Sequence, residues 1–114
     1  MSEAFLKRAV KKHFKALGYV VRIRRIRLGN AEIDGEALGA DRKRIAIEVK
    51  TMTDDIVRGL GQLAEASAFG YHQNVLVTTL RNAKKIDEAV FRHYGWTLIG
   101  VDAKGEVHEI LKRS

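Results

Sequence analysis

The 114-residue sequence contains no cysteine and no proline. The first absence removes disulfides, cysteine-ligated zinc ribbons, iron–sulfur clusters and thiol nucleophiles in one step, and it suits a reducing compartment. No apolar run approaches the roughly eighteen residues that span a bilayer, and no signal-peptide h-region opens the chain. The expectation is a cytoplasmic protein with no membrane partner. Aromatic residues are sparse, at 7%, with Phe91 and Trp96 read as core, and none forms an exposed set for stacking bases. The histidines His13, His72, His93 and His108 lie far apart with no metal-ligand spacing, and His93 falls on the core side of its helical pattern. Ser2, Ser67 and Ser114 have no His and acid beside them. Gly59-Leu60-Gly61 sits inside a helical pattern, so it is no phosphate-cradling loop, and its small residues are expected to let a helix approach the sheet.

What is present is a globular composition, 46% hydrophobic and 31% charged, of a length that suits one domain over residues 1–114. The net charge is +7, and it is clustered. Lys7, Arg8, Lys11, Lys12, Lys15, Arg22, Arg24, Arg25 and Arg27 all precede residue 28, opposed there only by Glu3. Such a cluster points to a polyanionic partner, DNA above all. A membrane surface fits less well, because the basic helix lacks a strong aromatic face.

Hydrophobic spacing gives the order of elements. Ser2 caps a first helix carrying Phe5, Ala9, Val10, Phe14 and Leu17, stopped by Gly18. A β-rich stretch, Tyr19 to Arg27, ends at the Gly29-Asn30 turn. Ala31–Ala37 and Arg44–Lys50 alternate as two strands around the loop Gly39–Lys43. Asp54 or Asp55 caps a second helix with Ile56, Leu60, Leu63, Ala64 and Ser67 on one face, and Asn74–Thr79 reads as a buried central strand. A third helix is expected from Asn82 to Tyr94, with Gly95 after it and a closing hairpin, Trp96–Val101 with Glu106–Leu111. The order α-β-β-β-α-β, followed by a helix and a hairpin, predicts an α/β fold with a central mixed sheet flanked by helices.

Alternation sorts the first hairpin into two faces. Ile33, Ile45, Ile47 and Val49 point one way; Glu32, Asp34, Glu36, Glu48 and Lys50 point the other. With Asp41 at the turn centre, Asp34 faces Glu48 and Glu32 faces Lys50. Directly opposed Cβ atoms stand about 4.5–5.5 Å apart. Two carboxylates at that distance want a shared proton, a cationic partner or a metal. Hard oxygen donors suit Mg²⁺, with Mn²⁺ able to substitute, and Lys50 would reach the edge of such a site. An ordinary charged surface, with Glu32 and Lys50 as a cross-strand ion pair, is the competing reading.

Glu32-Ile33-Asp34 and, after an interval of twelve residues, Ile47-Glu48-Val49-Lys50-Thr51 resemble the signature of the PD-(D/E)XK nuclease superfamily. Leu17-Gly18-Tyr19-Val20-Val21, Gly59-Leu60-Gly61-Gln62-Leu63 and Val75-Leu76-Val77-Thr78-Thr79 extend that resemblance toward its Mrr-type restriction and archaeal resolvase-like branches. The resemblance implies a restriction-endonuclease-like fold and a magnesium-dependent DNA endonuclease. It implies that Asp34, Glu48 and the Val49 carbonyl hold the metal, that Lys50 positions the attacking water, and that Gln62 approaches the site. Arg58 would be a phosphate contact, and Lys7, Lys11, Lys15, Arg22, Arg24 and Arg25 would grip the backbone without reading bases, giving structure-guided cleavage. Two departures stand out. No proline precedes Asp34, and the acid that many members carry on the first helix has a counterpart only in Glu3. Whether Glu3 or Glu32 joins the site is open. Two alternatives remain: a Holliday-junction resolvase acting as a homodimer, and a nuclease-fold module that binds DNA without cutting it.

Overall fold

Helix α1 (Glu3–Ala16) starts where the Ser2 hydroxyl accepts a hydrogen bond from the Phe5 amide at 3.1 Å, a capping arrangement that satisfies one of the free N–H groups of the first turn. Its inward stripe is Leu6, Ala9, Val10 and Phe14. Leu17, expected on that stripe, lies beyond the last turn and is 58% exposed. The computed structural model describes residues 1–111, apart from the side chain of Asp54.

After α1 come β1 (Val20–Arg22), β2 (Ile26–Leu28), β3 (Ala31–Ile33), β4 (Gly35–Leu38) and β5 (Arg44–Val49). A 3-10 turn at Thr53–Asp55 leads into α2 (Ile56–Ser67), and the chain continues through β6 (Gln73–Thr79), α3 (Leu80–Ala83), α4 (Ala89–Tyr94), β7 (Thr97–Val101) and β8 (Val107–Leu111). Six strands form one mixed sheet in the order β1-β4-β5-β6-β7-β8, and β2 with β3 make a separate ribbon. β5, β6 and β7 run parallel; the outer pairings are antiparallel. The α/β architecture with a mixed sheet flanked by helices is therefore as the sequence predicts.

The runs Ile45–Val49 and Asn74–Thr78 are buried throughout, as strands covered on both faces require. Helix α1 covers one face with Ala37, Ile45, Ile47, Val49, Val75, Val77, Ile99 and Val101 beneath it. On the other face, Leu63 and Ala66 of α2 and Phe91 of α4 pack over Ala46, Leu76 and Leu98.

Three expectations need correction. The Tyr19–Arg27 stretch is not one strand: β1 joins β4 in the main sheet, while β2 pairs with β3 outside it. Ala31–Ala37 is likewise broken at Asp34, whose amide donates to the Ile47 carbonyl at 3.0 Å. The break sends Ile33 into the α2 side of the core, away from Ile45, Ile47 and Val49. The third helix is two short ones. Thr79 caps α3, and the Asp87 carboxylate accepts the Ala89 amide at 2.9 Å to open α4 afresh. That restart sets a new helical phase in which Phe91 is buried and His93 is exposed.

Gly35 lets the chain bend beside β1. A Cβ there would lie 2.7 Å from the Arg22 carbonyl oxygen and 2.9 Å from Ile23 Cδ1. Gly35→Ala is therefore expected to cost about 1–3 kcal/mol, as overpacking against backbone does. Denaturant unfolding checks it, and wild-type stability would refute the close approach.

Candidate active site

The turn between β4 and β5 sets the register that builds the site. Gly39 donates its amide to the Lys43 carbonyl at 2.9 Å, and Asp41 Oδ1 accepts the Lys43 amide at 3.1 Å. From there the ladder pairs Leu38 with Arg44, Ala37 with Ile45, Glu36 with Ala46 and Gly35 with Ile47. One step further along, Asp34 faces Glu48, the register read from the loop.

Asp34 spends one oxygen on backbone: its Oδ2 accepts the Val49 amide at 2.8 Å. Its Oδ1 lies 3.9 Å from Lys7 Nζ. Glu48 shares the α2 side of the sheet with Ala46 and is only 1% exposed. Its Oε2 has no hydrogen-bond partner among the described residues, and the nearest cation to it is Lys50 Nζ at 3.8 Å. A buried oxygen of this kind costs free energy unless proton or cation satisfies it. Burial, followed by the hydrogen bond and charge of Asp34, pushes the Glu48 carboxyl up to about 9, outweighing the attraction of Lys50. In the absence of a cation, the pair holds a proton near neutral pH.

Lys50 reaches the site past Gly59 of α2. A Cβ on Gly59 would stand 3.2 Å from Lys50 Cγ and Cε and 3.0 Å from Leu76 Cδ1, so the small residue lets helix and lysine pass closely. Gly61 has no such neighbour.

Asp34, Val49 and Lys50 open onto a polar cavity of about 290 Å³. Gln62 and Arg58 from α2 and Glu3 from α1 complete the part of its wall anticipated from sequence, and Arg25 enters it as well. Gln62 donates through Nε2 to the Glu32 carbonyl at 3.0 Å, so it braces the β2–β3 ribbon against α2. Glu3 binds Lys7 Nζ at 2.9 Å, drawing that ammonium away from Asp34. Glu32 is on the wall, yet it is paired with Arg27 across the ribbon rather than with Lys50, because β3 has left the main sheet. Lys11, Lys15, Arg22 and Arg24 are exposed and outside the cavity.

Thr51 and Asp55 also line the cavity. Asp55 stands at the N-cap position of α2 without making a side-chain cap bond. Its place in the short turn that follows β5 and Lys50 and leads into α2 is the available signal. Glu36, expected on an open charged face, is 7% exposed; it accepts a 2.8 Å bond from the Tyr71 hydroxyl, with Arg44 at 3.8 Å.

No family model matches this chain, and no curated protein matches it. Among solved structures it is similar to a protein of unknown function from Silicibacter pomeroyi, with a TM-score of 0.71 and 18% identity, over 100% of this chain and 73% of that one. The likeness is one of fold. No described helix is long and apolar enough to cross a membrane.

A second group of possible metal ligands lies at the β7–β8 turn, where ligand atoms of Asp102, Glu106 and His108 come within 4.8 Å of one another. The spacing of histidines alone hides it. Asp102 is already committed, to His108 Nε2 at 2.9 Å and to the Lys104 and Glu106 amides, and these bonds, His108 first, hold its carboxyl below the usual range.

A carboxyl with a folded pKa raised from 4.5 to about 9 contributes stability that is complete below its unfolded value and is lost as pH rises through the folded one. Metal-free protein should therefore lose several degrees of Tm between about pH 4.5 and 9, a loss that Glu48→Gln escapes because an amide does not titrate there. Calorimetric melts of both proteins across that window check it, and parallel profiles would contradict it.

Proposed function

We propose that this chain is a magnesium-dependent DNA endonuclease of the PD-(D/E)XK type, hydrolysing phosphodiester bonds. The observation that carries the reading is the Glu48 carboxyl, buried against Asp34 with one oxygen unsatisfied. The Lys50 ammonium, 3.8 Å from that oxygen, is beyond hydrogen-bond reach, so a proton or a cation is what would satisfy it. The donor set is all hard oxygen, with Val49 at the cavity wall, and it fits Mg²⁺ or Mn²⁺. Asp34, Glu48 and the Val49 carbonyl would hold that ion, which when bound supplies Lewis-acid polarisation and a more acidic water.

The remaining chemistry belongs to the chain's own groups. Asp34, fixed by the Val49 amide, needs no reorganisation to present its Oδ1. Glu48 would hold such an ion as a carboxylate, because a cation beside it would favour the ionised form over the protonated one, the proton passing to solvent. Lys50 presents an ammonium beside Glu48, where it can orient an attacking water and meet charge developing on a phosphoryl oxygen. Arg25 and Arg58 contribute positive charge at the mouth and suit neighbouring phosphates. Lys7 is bound to Glu3 at 2.9 Å and stands 3.9 Å from Asp34, so Glu3 would keep the ammonium paired if a cation took its place beside Asp34.

The charge of +7 and the exposed Lys11, Lys15, Arg22 and Arg24 suit sequence-independent grip on a phosphate backbone, and hence structure-guided cutting. The resolvase form of this reading requires a homodimer, and a cleavage panel of four-way junction, linear duplex and single-stranded DNA, run beside a sedimentation measurement, separates it from a simple endonuclease.

Asp34→Asn and Lys50→Ala are each expected to lower Mg²⁺-dependent cleavage by about a hundred- to a thousandfold, the scale on which positioned electrostatic groups act. DNA binding and unfolding midpoints should stay close to wild type. Full activity in either variant removes the mechanism, and a wild-type protein that binds DNA but never cuts it leaves the non-catalytic module.

A further inference from the structure

The carboxyl ends of β5, β6 and β7 share one edge of the sheet, and the candidate site occupies only the β5 part of it. Next along that edge is α3, four residues long. A helix this short has no stability of its own, because nucleation fixes several residues for one hydrogen bond. Three separate contacts hold it. The Thr79 hydroxyl accepts the Asn82 amide at 3.1 Å. Gly100 of β7 provides a notch in which a Cβ would stand 2.8 Å from Leu80 Cα and 3.1 Å from Ala83 Cβ. Asn82 Nδ2 donates to the Thr51 carbonyl at 2.9 Å, tying α3 to the residue that follows Lys50.

What this braced turn presents to solvent is cationic. Arg81, Lys84 and Lys85 are all exposed, and none has an acidic partner within ion-pair reach among the described residues. The acid at that end, Asp102, is occupied by His108 and by backbone amides. Unpaired cations on a rigid support, hydrogen-bonded to the loop of the site, serve no evident purpose in folding. They do suit a chain of phosphates, because the ordering cost of the support has been met before any partner binds.

We infer that Arg81, Lys84 and Lys85 form a second phosphate-binding ridge, which carries the DNA backbone along the carboxyl edge of the sheet on the far side of Lys50 from Arg25 and Arg58. The inference rests on the nuclease reading for its choice of partner. Two strand spacings, about 10 Å, separate β5 from β7, and one DNA strand advances about 3.4 Å per base pair. The ridge therefore meets phosphates within a few nucleotides of the one at Lys50. DNA would be held on both sides of the scissile bond, which favours internal cleavage over trimming from an end.

The test measures binding of wild-type protein to a short fluorescent duplex by anisotropy, in EDTA, over a series of KCl concentrations. Each phosphate contact contributes about 0.9 to the slope of log K against log salt. The triple variant R81A/K84A/K85A should reduce that slope by about 2–3 and weaken binding at least about tenfold. Arg42→Gln with Lys43→Gln, on the β4–β5 turn at the opposite edge, should change the slope little. With Mg²⁺ added, the triple variant should show a raised KM and an unchanged dependence on Mg²⁺ concentration. An unaltered slope in the triple variant, or an equal loss per charge at the opposite edge, overturns the ridge. The binding arm needs no cleavage, so a wild-type protein that failed to cut DNA would defeat the nuclease reading while the salt slopes still decided the ridge.

Discussion

A buried carboxyl group and one at a cavity wall meet in this protein because a five-residue turn fixes where one strand lies against another. Asp34 and Glu48 are brought together by the register that the Gly39–Lys43 turn imposes on β4 and β5, and the surrounding structure copes with the result. Burial holds the Glu48 carboxyl up to about 9, Lys50 stands beside it, and Lys7 is shared between Asp34 and Glu3. The Glu48 charge would not be tolerated so far from water without a cation or a proton. The site is thus a place where the fold accepts local instability, of the kind that recurs where chemistry is done.

The neighbourhood is organised around access to that pair. Gly59 thins α2 so that Lys50 can pass beneath it. Gln62 fastens the β2–β3 ribbon at the cavity's side, and the break at Asp34 lets that ribbon swing out of the main sheet and carry Arg25 and Glu32 to the mouth. Asn82 extends the same logic across the edge, coupling α3 to Thr51. Asp34 and Lys50 stand at the cavity wall, and Glu48 lies buried behind them.

Much of this was legible in the sequence because period-two alternation and a short loop with Asp41 at its centre define a register, and register decides which side chains meet. The α1 cap at Ser2, the buried β6 run and the closing β7–β8 hairpin follow from similarly local signals. What was not legible depends on contacts distant in the chain. Nothing near Asp34 announces a break, since its cause lies in the Arg22 carbonyl packed against Gly35 and in the Val49 amide claiming the Asp34 carboxylate. The split of the expected third helix goes with the Asp87 carboxylate accepting the Ala89 amide and with Phe91 lying in the core, the second a contact distant in the chain. Glu36 looked solvated because Tyr71 and Arg44, its partners, come from elsewhere in the chain. Asp55 was noticed as a helix cap and not as a wall of the cavity, because the loop that carries it is placed by the end of β5.

The shared pair makes one demand that no surface cluster makes: a single divalent ion should be bound between a cavity-wall carboxylate, Asp34, and a fully buried one, Glu48. Anomalous diffraction from crystals soaked in Mn²⁺ tests this directly. The expected result is one strong peak between the Asp34 and Glu48 carboxylates, with the Lys7 ammonium held on Glu3 and farther from Asp34 than 3.9 Å. A map with no peak there, or with manganese only at Asp102, Glu106 and His108, would contradict it.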